Sequence, residues 1–196
     1  MTMNEPIRLA ILGSGNGTNA QQISEYFAGR ADVEVCCIIY NKRDAYIAQR
    51  AKNLGIEARY FGRKDFYETS AVLDYLHEKK ADWVILAGFL WLVPENMLDA
   101  YPNRIINIHP ALLPKFGGKG MWGHHVHEAV HAAHDKRSGI TIHFVNPELD
   151  EGEHIAQFSV ALDPADTPDD IADKVHELEM KHFPGVIEQV IRRNIV

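Results

Sequence analysis

Ile7-Arg8-Leu9-Ala10-Ile11-Leu12 runs almost wholly apolar and then breaks into Gly13-Ser14-Gly15-Asn16-Gly17-Thr18-Asn19, after which Ala20 to Ala28 carries helical spacing. A buried strand, a glycine-rich turn and a helix in that order open an α/β fold. The alternation continues with an apolar strand at Val33 to Tyr40, a helix from Asp44 to Leu54 stopped by Gly55, and a short strand at Ala58 to Phe61. Asp65 to Lys79 reads as one amphipathic helix with Phe66, Leu73 and Leu76 toward a core. Trp83 to Ala87 is the fourth strand, Pro94 opens a short helix, and Arg104 to Ile108 is the fifth strand. Near-continuous apolar strands predict a doubly wound, mostly parallel sheet covered on both faces.

The regularity ends after His109. Pro110 to Gly123 holds two prolines and four glycines, too many breakers for an element and long for a connection, so the loop is expected to shape a site. His124 to His134 resumes as helix. Gly139 to Val145 and His154 to Ala161 alternate as an antiparallel edge hairpin joined by Asn146 to Gly152. Thr167 as N-cap and Pro168 at the first helical position start a long C-terminal helix toward Ile191, with Pro184 as the place for a kink. With 196 residues, 46% of them hydrophobic, the chain suits one domain spanning 1–196.

A net charge of -7 argues against a nucleic-acid or membrane surface and for small-molecule partners. No stretch has the length and apolarity of a membrane span or the pattern of a secretory leader, so the expected compartment is cytoplasmic. The sequence does not choose between a monomer and a homodimer. Cys36 and Cys37 lie adjacent in an apolar strand and read as buried, reduced thiols on opposite faces.

Five features carry chemistry. In Ile106-Asn107-Ile108-His109-Pro110, alternation puts Asn107 and His109 side by side on one face. An amide donor and an imidazole suit a reaction with a charged tetrahedral intermediate. The glycine-rich turn at a helix N-terminus suits phosphate. Thr18 replaces the glycine, and Tyr40-Asn41 the acid, that a dinucleotide site wants, so NAD is disfavoured and a terminal phosphomonoester fits better. His127-Glu128-Ala129-Val130-His131 matches the His-Glu-x-x-His of zinc hydrolases, without the longer pattern of those enzymes. Leu86 to Val93 reads either as core or as the wall of a pocket for a flat ring. Asp150, in the hairpin loop near Gly152, would orient His109 and stabilise its imidazolium form if the fold brought them together.

Taken together, Ser14-Gly15-Asn16-Gly17-Thr18-Asn19, Leu86-Ala87-Gly88-Phe89, Asn107-Ile108-His109-Pro110 with Leu113-Pro114-Lys115, and His143-Phe144-Val145 with Glu148-Leu149-Asp150 resemble the phosphoribosylglycinamide formyltransferase family. The resemblance implies the formyltransferase fold, with a ribonucleotide-binding N-terminal half and a folate-binding, catalytic C-terminal half. It implies formyl transfer from 10-formyltetrahydrofolate to the amine of glycinamide ribonucleotide in purine (IMP) synthesis, with no metal. Asn107, His109 and Asp150 are then the catalytic set. Gly15, Asn16, Gly17, Thr18 and Asn19 hold the phosphate and Glu179 the ribose. Leu90, Trp91, Leu92, Val93, Leu98, Asn146, Glu148 and Asp150 line the folate. Trp91 departs from the arginine common in relatives, and Phe116 to His125 is longer and richer in glycine and histidine. The alternatives are another enzyme using the same folate, as formyltransferase or hydrolase, or a zinc hydrolase built on His127, Glu128 and His131.

Overall fold

The computed structural model describes residues 5–193. Seven strands form one sheet in the order β3-β2-β1-β4-β5-β6-β7. The chain packs as two compact units, the first ending at Ile106 and the second beginning at Asn107, so the division falls within β5 (Ile105–His109).

The first unit holds β1 (Ile7–Gly13), α1 (Thr18–Phe27), β2 (Val33–Tyr40), α2 (Ile47–Leu54), β3 (Ala58–Tyr60), α3 (Arg63–Tyr67), α4 (Ala71–Glu78), β4 (Trp83–Leu86) and α5 (Glu95–Ala100). β1 pairs in parallel with β2 on one side and β4 on the other, and β2 with β3. Leu9, Ala10, Ile11 and Leu12 are each 0% exposed, as a central parallel strand covered on both faces requires. The second unit holds α6 (His124–Ala132), β6 (Arg137–Phe144), β7 (His154–Ala161) and α7 (Pro168–Arg193). β6 and β7 form the antiparallel hairpin, and the 26-residue α7 runs through Pro184 to pack on α6, β6 and β7.

Two expectations need correction. The single helix over 65–79 is two, α3 and α4, because Thr69 and Ser70 turn their hydroxyls onto local groups. Thr69 Oγ1 donates to the Asp65 carbonyl at 3.0 Å and accepts the Ala71 N–H at 3.2 Å, while Ser70 Oγ donates to Asp74 at 2.7 Å. Such bonds compete with a continuous helical ladder. The break resets the helical phase, so Val72, Tyr75 and Leu76 are buried and Leu73 is only half-buried. The cysteines do not face opposite ways either. Leu9 pairs with Val35 and Ala10 with Cys37, so Cys36 is the extra residue of a bulge, and its Sγ lies 3.9 Å from that of Cys37.

β5 extends one residue further than its apolar pattern, and His109 is its last residue. Gly139 lets β6 and β7 close, because a Cβ there would lie 2.0 Å from the Phe158 carbonyl oxygen and 2.8 Å from Leu112. Gly139→Ala is expected to cost about 2–3 kcal/mol, read as a lower urea midpoint; an unchanged midpoint would show that the hairpin yields without cost.

Candidate active site

In the first unit, the turn after β1 is shaped by α2. Gly17 has φ +81°, and a Cβ there would lie 2.6–2.8 Å from Ile47 atoms; one on Gly13 would lie 2.6 Å from Ile47 Cδ1. Only glycine allows this backbone and this contact together. The Ile47 N–H donates to the Gly15 carbonyl at 3.2 Å. Thr18 and Asn19 begin α1, so N–H groups of its first turn open beside their side chains. Ser14 joins the turn to the segment after β4: its N–H donates to the Gly88 carbonyl at 3.0 Å, and its Oγ accepts the Leu90 N–H at 2.9 Å.

That segment leaves the core after Ala87. Leu90 is 38% and Leu92 56% exposed, whereas Trp91 packs its ring among Phe66, Tyr67 and Phe89 at centroid distances of 5.7, 6.0 and 6.2 Å. The Tyr67 hydroxyl donates to the Leu92 carbonyl at 2.9 Å, which fixes the exposed leucines' backbone. Leu98 is half-buried on α5.

In the second unit, Asn107, His109 and Asp150 come together with His143, to which the sequence alone gives no role. Asp150 Oδ2 lies 3.6 Å from His109 Nδ1 and accepts the Gly118 N–H at 2.9 Å. His109 Nε2 donates to the Phe116 carbonyl at 2.8 Å. One ring nitrogen thus donates to a carbonyl, and the other stands within ion-pair range of a carboxylate, beyond hydrogen-bond distance.

His143 is set up the other way. Its Nδ1–H donates to the Phe144 carbonyl at 2.8 Å, and burial lowers its pKa. The neutral ring therefore carries a bare Nε2, which accepts from Asn107 Nδ2 at 3.1 Å. This bond tells the amide nitrogen from its oxygen and leaves the second N–H of Nδ2 for another acceptor. The 3.8 Å from His143 Nε2 to Asp150 Oδ1 is too long for a hydrogen bond.

The model of the family described as formyl transferase matches residues 7–187. The chain belongs to the formyl transferase family. It is 39% identical to a chloroplastic phosphoribosylglycinamide formyltransferase of Arabidopsis thaliana, over 98% of this chain and 68% of the relative. It is 34% identical to that of Haemophilus influenzae, over 92% of this chain and 85% of the relative. The structure of the phosphoribosylglycinamide formyltransferase from Anaplasma phagocytophilum aligns with a TM-score of 0.87 at 31% identity, covering 95% of this chain and 87% of that one. The Streptococcus pneumoniae structure aligns at 0.84 and 36%, covering 94% and 99%.

Other residues singled out in this formyl transferase sequence have settled places. Asn146 Oδ1 accepts the Glu148 N–H at 3.1 Å, closing a turn ahead of Asp150, which has φ +59°. Glu179 Oε2 accepts from His176 Nδ1 at 3.0 Å, which raises the pKa of His176. The His-Glu-x-x-His residues have other neighbours: His127 is buried, Glu128 bonds His125 at 3.1 Å, and the His131 ring lies 6.4 Å from that of His134. No group of three or more His, Cys, Asp or Glu among the described residues is arranged to hold a metal ion. No helix among them is long and apolar enough to cross a membrane.

Burial also lowers the pKa of His127, whose Nδ1 has no partner among the described residues. Below the usual histidine value near 6.5, the unfolded chain takes protons at His127 and His143 before the folded chain does. Stability is therefore expected to fall as pH drops through that region. His176 acts oppositely, adding stability that is lost as pH rises through its raised value, but its side chain is 42% exposed and screened. His127→Gln is expected to flatten the fall, read as denaturant midpoints at about pH 7.5 and 5.5. An equally steep fall in the variant would refute this origin.

Proposed function

We propose that this protein transfers the formyl group of 10-formyltetrahydrofolate to the amine of glycinamide ribonucleotide (5-phosphoribosylglycinamide), a step of purine (IMP) synthesis. The observation that carries the reading is the cluster in which Asp150 Oδ2 stands 3.6 Å from His109 and Asn107 offers an oriented amide donor. It is supported by a match to the formyl transferase family over residues 7–187.

The substrate amine attacks the formyl carbon, forming a C–N bond and a tetrahedral centre whose oxygen carries the developing charge. Asn107 Nδ2–H and protonated His109 stabilise that oxygen, His109 Nε2–H exchanging the Phe116 carbonyl for it. Asp150 balances the imidazolium charge and anchors a water that carries the proton lost by the amine to the leaving nitrogen, whose bond to the formyl carbon then breaks. No step needs a metal. Gly15, Asn16, Gly17, Thr18 and Asn19 hold the phosphate, and Glu179 the ribose. For the folate, the exposed Leu90 and Leu92 offer apolar surface to a flat ring, and Trp91, Val93, Leu98, Asn146, Glu148 and Asp150 are assigned to it as well. The partners of this reading are these small molecules.

The test is a folate absorbance assay with glycinamide ribonucleotide. Asn107→Ala and His109→Ala should each lower kcat by ~10²-fold or more with little change in substrate KM. No transfer by the wild type, or near-normal kcat in both variants, would sink the assignment. Thr18→Ala should mainly raise the KM for the ribonucleotide; an unchanged KM would move the phosphate away from the turn.

A further inference from the structure

α2 gives the glycine-rich turn more than a packing surface. Three residues beyond Ile47 on the same helix, Arg50 extends its guanidinium over the turn. Its Nε–H donates to the Asn16 carbonyl at 2.8 Å and to Asn16 Oδ1 at 3.0 Å, and Nη2 donates to the same Oδ1 at 2.5 Å. Nη1 donates to Gln21 Oε1. A guanidinium carries two N–H groups on each terminal nitrogen, so one on each remains beyond these bonds. The Tyr46 ring centroid lies 5.1 Å from the Arg50 Cζ, a cation–π contact that helps hold the group.

A second observation lies at the end of the neighbouring strand. Asn41 directly follows Tyr40, which pairs with Gly13 where the turn begins. Asn41 is 5% exposed, and neither its Nδ2 nor its Oδ1 has a hydrogen-bond partner among the described residues. Unspent hydrogen-bonding capacity of this kind lies one residue beyond the strand position that pairs with the start of the turn.

Charge says which ligand. Ser14 to Asn19 contain no cationic side chain, and the chain as a whole carries -7. A phosphomonoester brings roughly -1.5 to -2 at neutral pH, which backbone N–H groups and neutral donors orient but do not balance. A guanidinium already docked on the turn does balance it, at little further entropic cost.

We propose that Arg50 is the cationic member of the phosphate site, supplying from α2 the charge that the turn lacks. This rests on the assignment of the turn to the ribonucleotide phosphate. The experiment compares full-length wild type, Arg50→Gln, Arg50→Lys and Thr18→Ala by thermal shift with inorganic phosphate at constant ionic strength, together with steady-state kinetics. Arg50→Gln should abolish the phosphate-induced shift and raise the ribonucleotide KM about tenfold or more, with kcat and the folate KM within about twofold of wild type. Arg50→Lys should recover part of both effects, which a purely structural staple on Asn16 would not do. A full phosphate shift in Arg50→Gln, with the shift lost in Thr18→Ala, would overturn the proposal and leave the turn assignment standing. A full shift in both would remove the turn assignment as well. An Arg50→Lys variant as impaired as Arg50→Gln would also overturn it, because charge would then not be what the site uses.

Discussion

A carboxylate taken out of water must find donors, and in the second unit the loops are arranged around that need at Asp150. Its side chain is 9% exposed, and it meets the Gly118 N–H at 2.9 Å and His109 at 3.6 Å. Reaching that place requires φ +59°, a conformation that aspartate tolerates better than most residues. It also requires room. A Cβ on Gly117 would lie 2.5 Å from Leu113 and 3.4 Å from the Asp150 Cβ, and one on Gly152 would lie 1.7 Å from the Phe144 carbonyl oxygen. The glycines that break up both loops are thus the ones that let two backbones close on a single acid.

The cluster assigns opposite tasks to two buried histidines through what each nitrogen touches. His143 gives its Nδ1 proton to a backbone carbonyl and, kept neutral by burial, becomes an acceptor that turns the Asn107 amide. His109 has a carbonyl acceptor at one nitrogen and a carboxylate within ion-pair range of the other. Residue type does not separate them; the neighbours do. Thr141 anchors the same region from below: its hydroxyl donates to the Ala111 carbonyl at 2.7 Å and accepts the Leu113 N–H at 3.0 Å, tying the loop that follows His109 to β6.

Much of this was legible in the chain, and what was not has physical reasons. Buried parallel strands announce themselves as apolar runs, so β1, β2 and β4 were readable to within a residue. The break between α3 and α4 was not, because two hydroxyls competing for local backbone leave no mark on apolar periodicity. The bulge at Cys36 was hidden for a similar reason: an extra residue in a wholly apolar strand changes facing without changing pattern. Asn107, His109 and Asp150 were legible as chemistry-bearing types. The Phe116 carbonyl and Gly118 N–H were not, since every residue but proline carries both groups. His143 did leave a signal, two positions from Thr141 on one face of the otherwise apolar stretch Gly139 to Val145.

The turn shows why a glycine pattern alone is ambiguous. Gly13 and Gly17 are demanded by Ile47, whose side chain occupies the space a Cβ would need at both, and this packing would be the same with or without an anion. Glycines at 13 and 17 therefore speak for the closeness of α2, and only indirectly for phosphate. What separates an anion site from a tight turn is charge and unspent hydrogen-bonding capacity, and neither lies in the glycines. Both come from outside the turn, from Arg50 three residues after Ile47 and from Asn41 at the end of β2. The helix that compels the glycines is thus also the one that carries the cation, so the shape of the turn and its charge have a common source in α2.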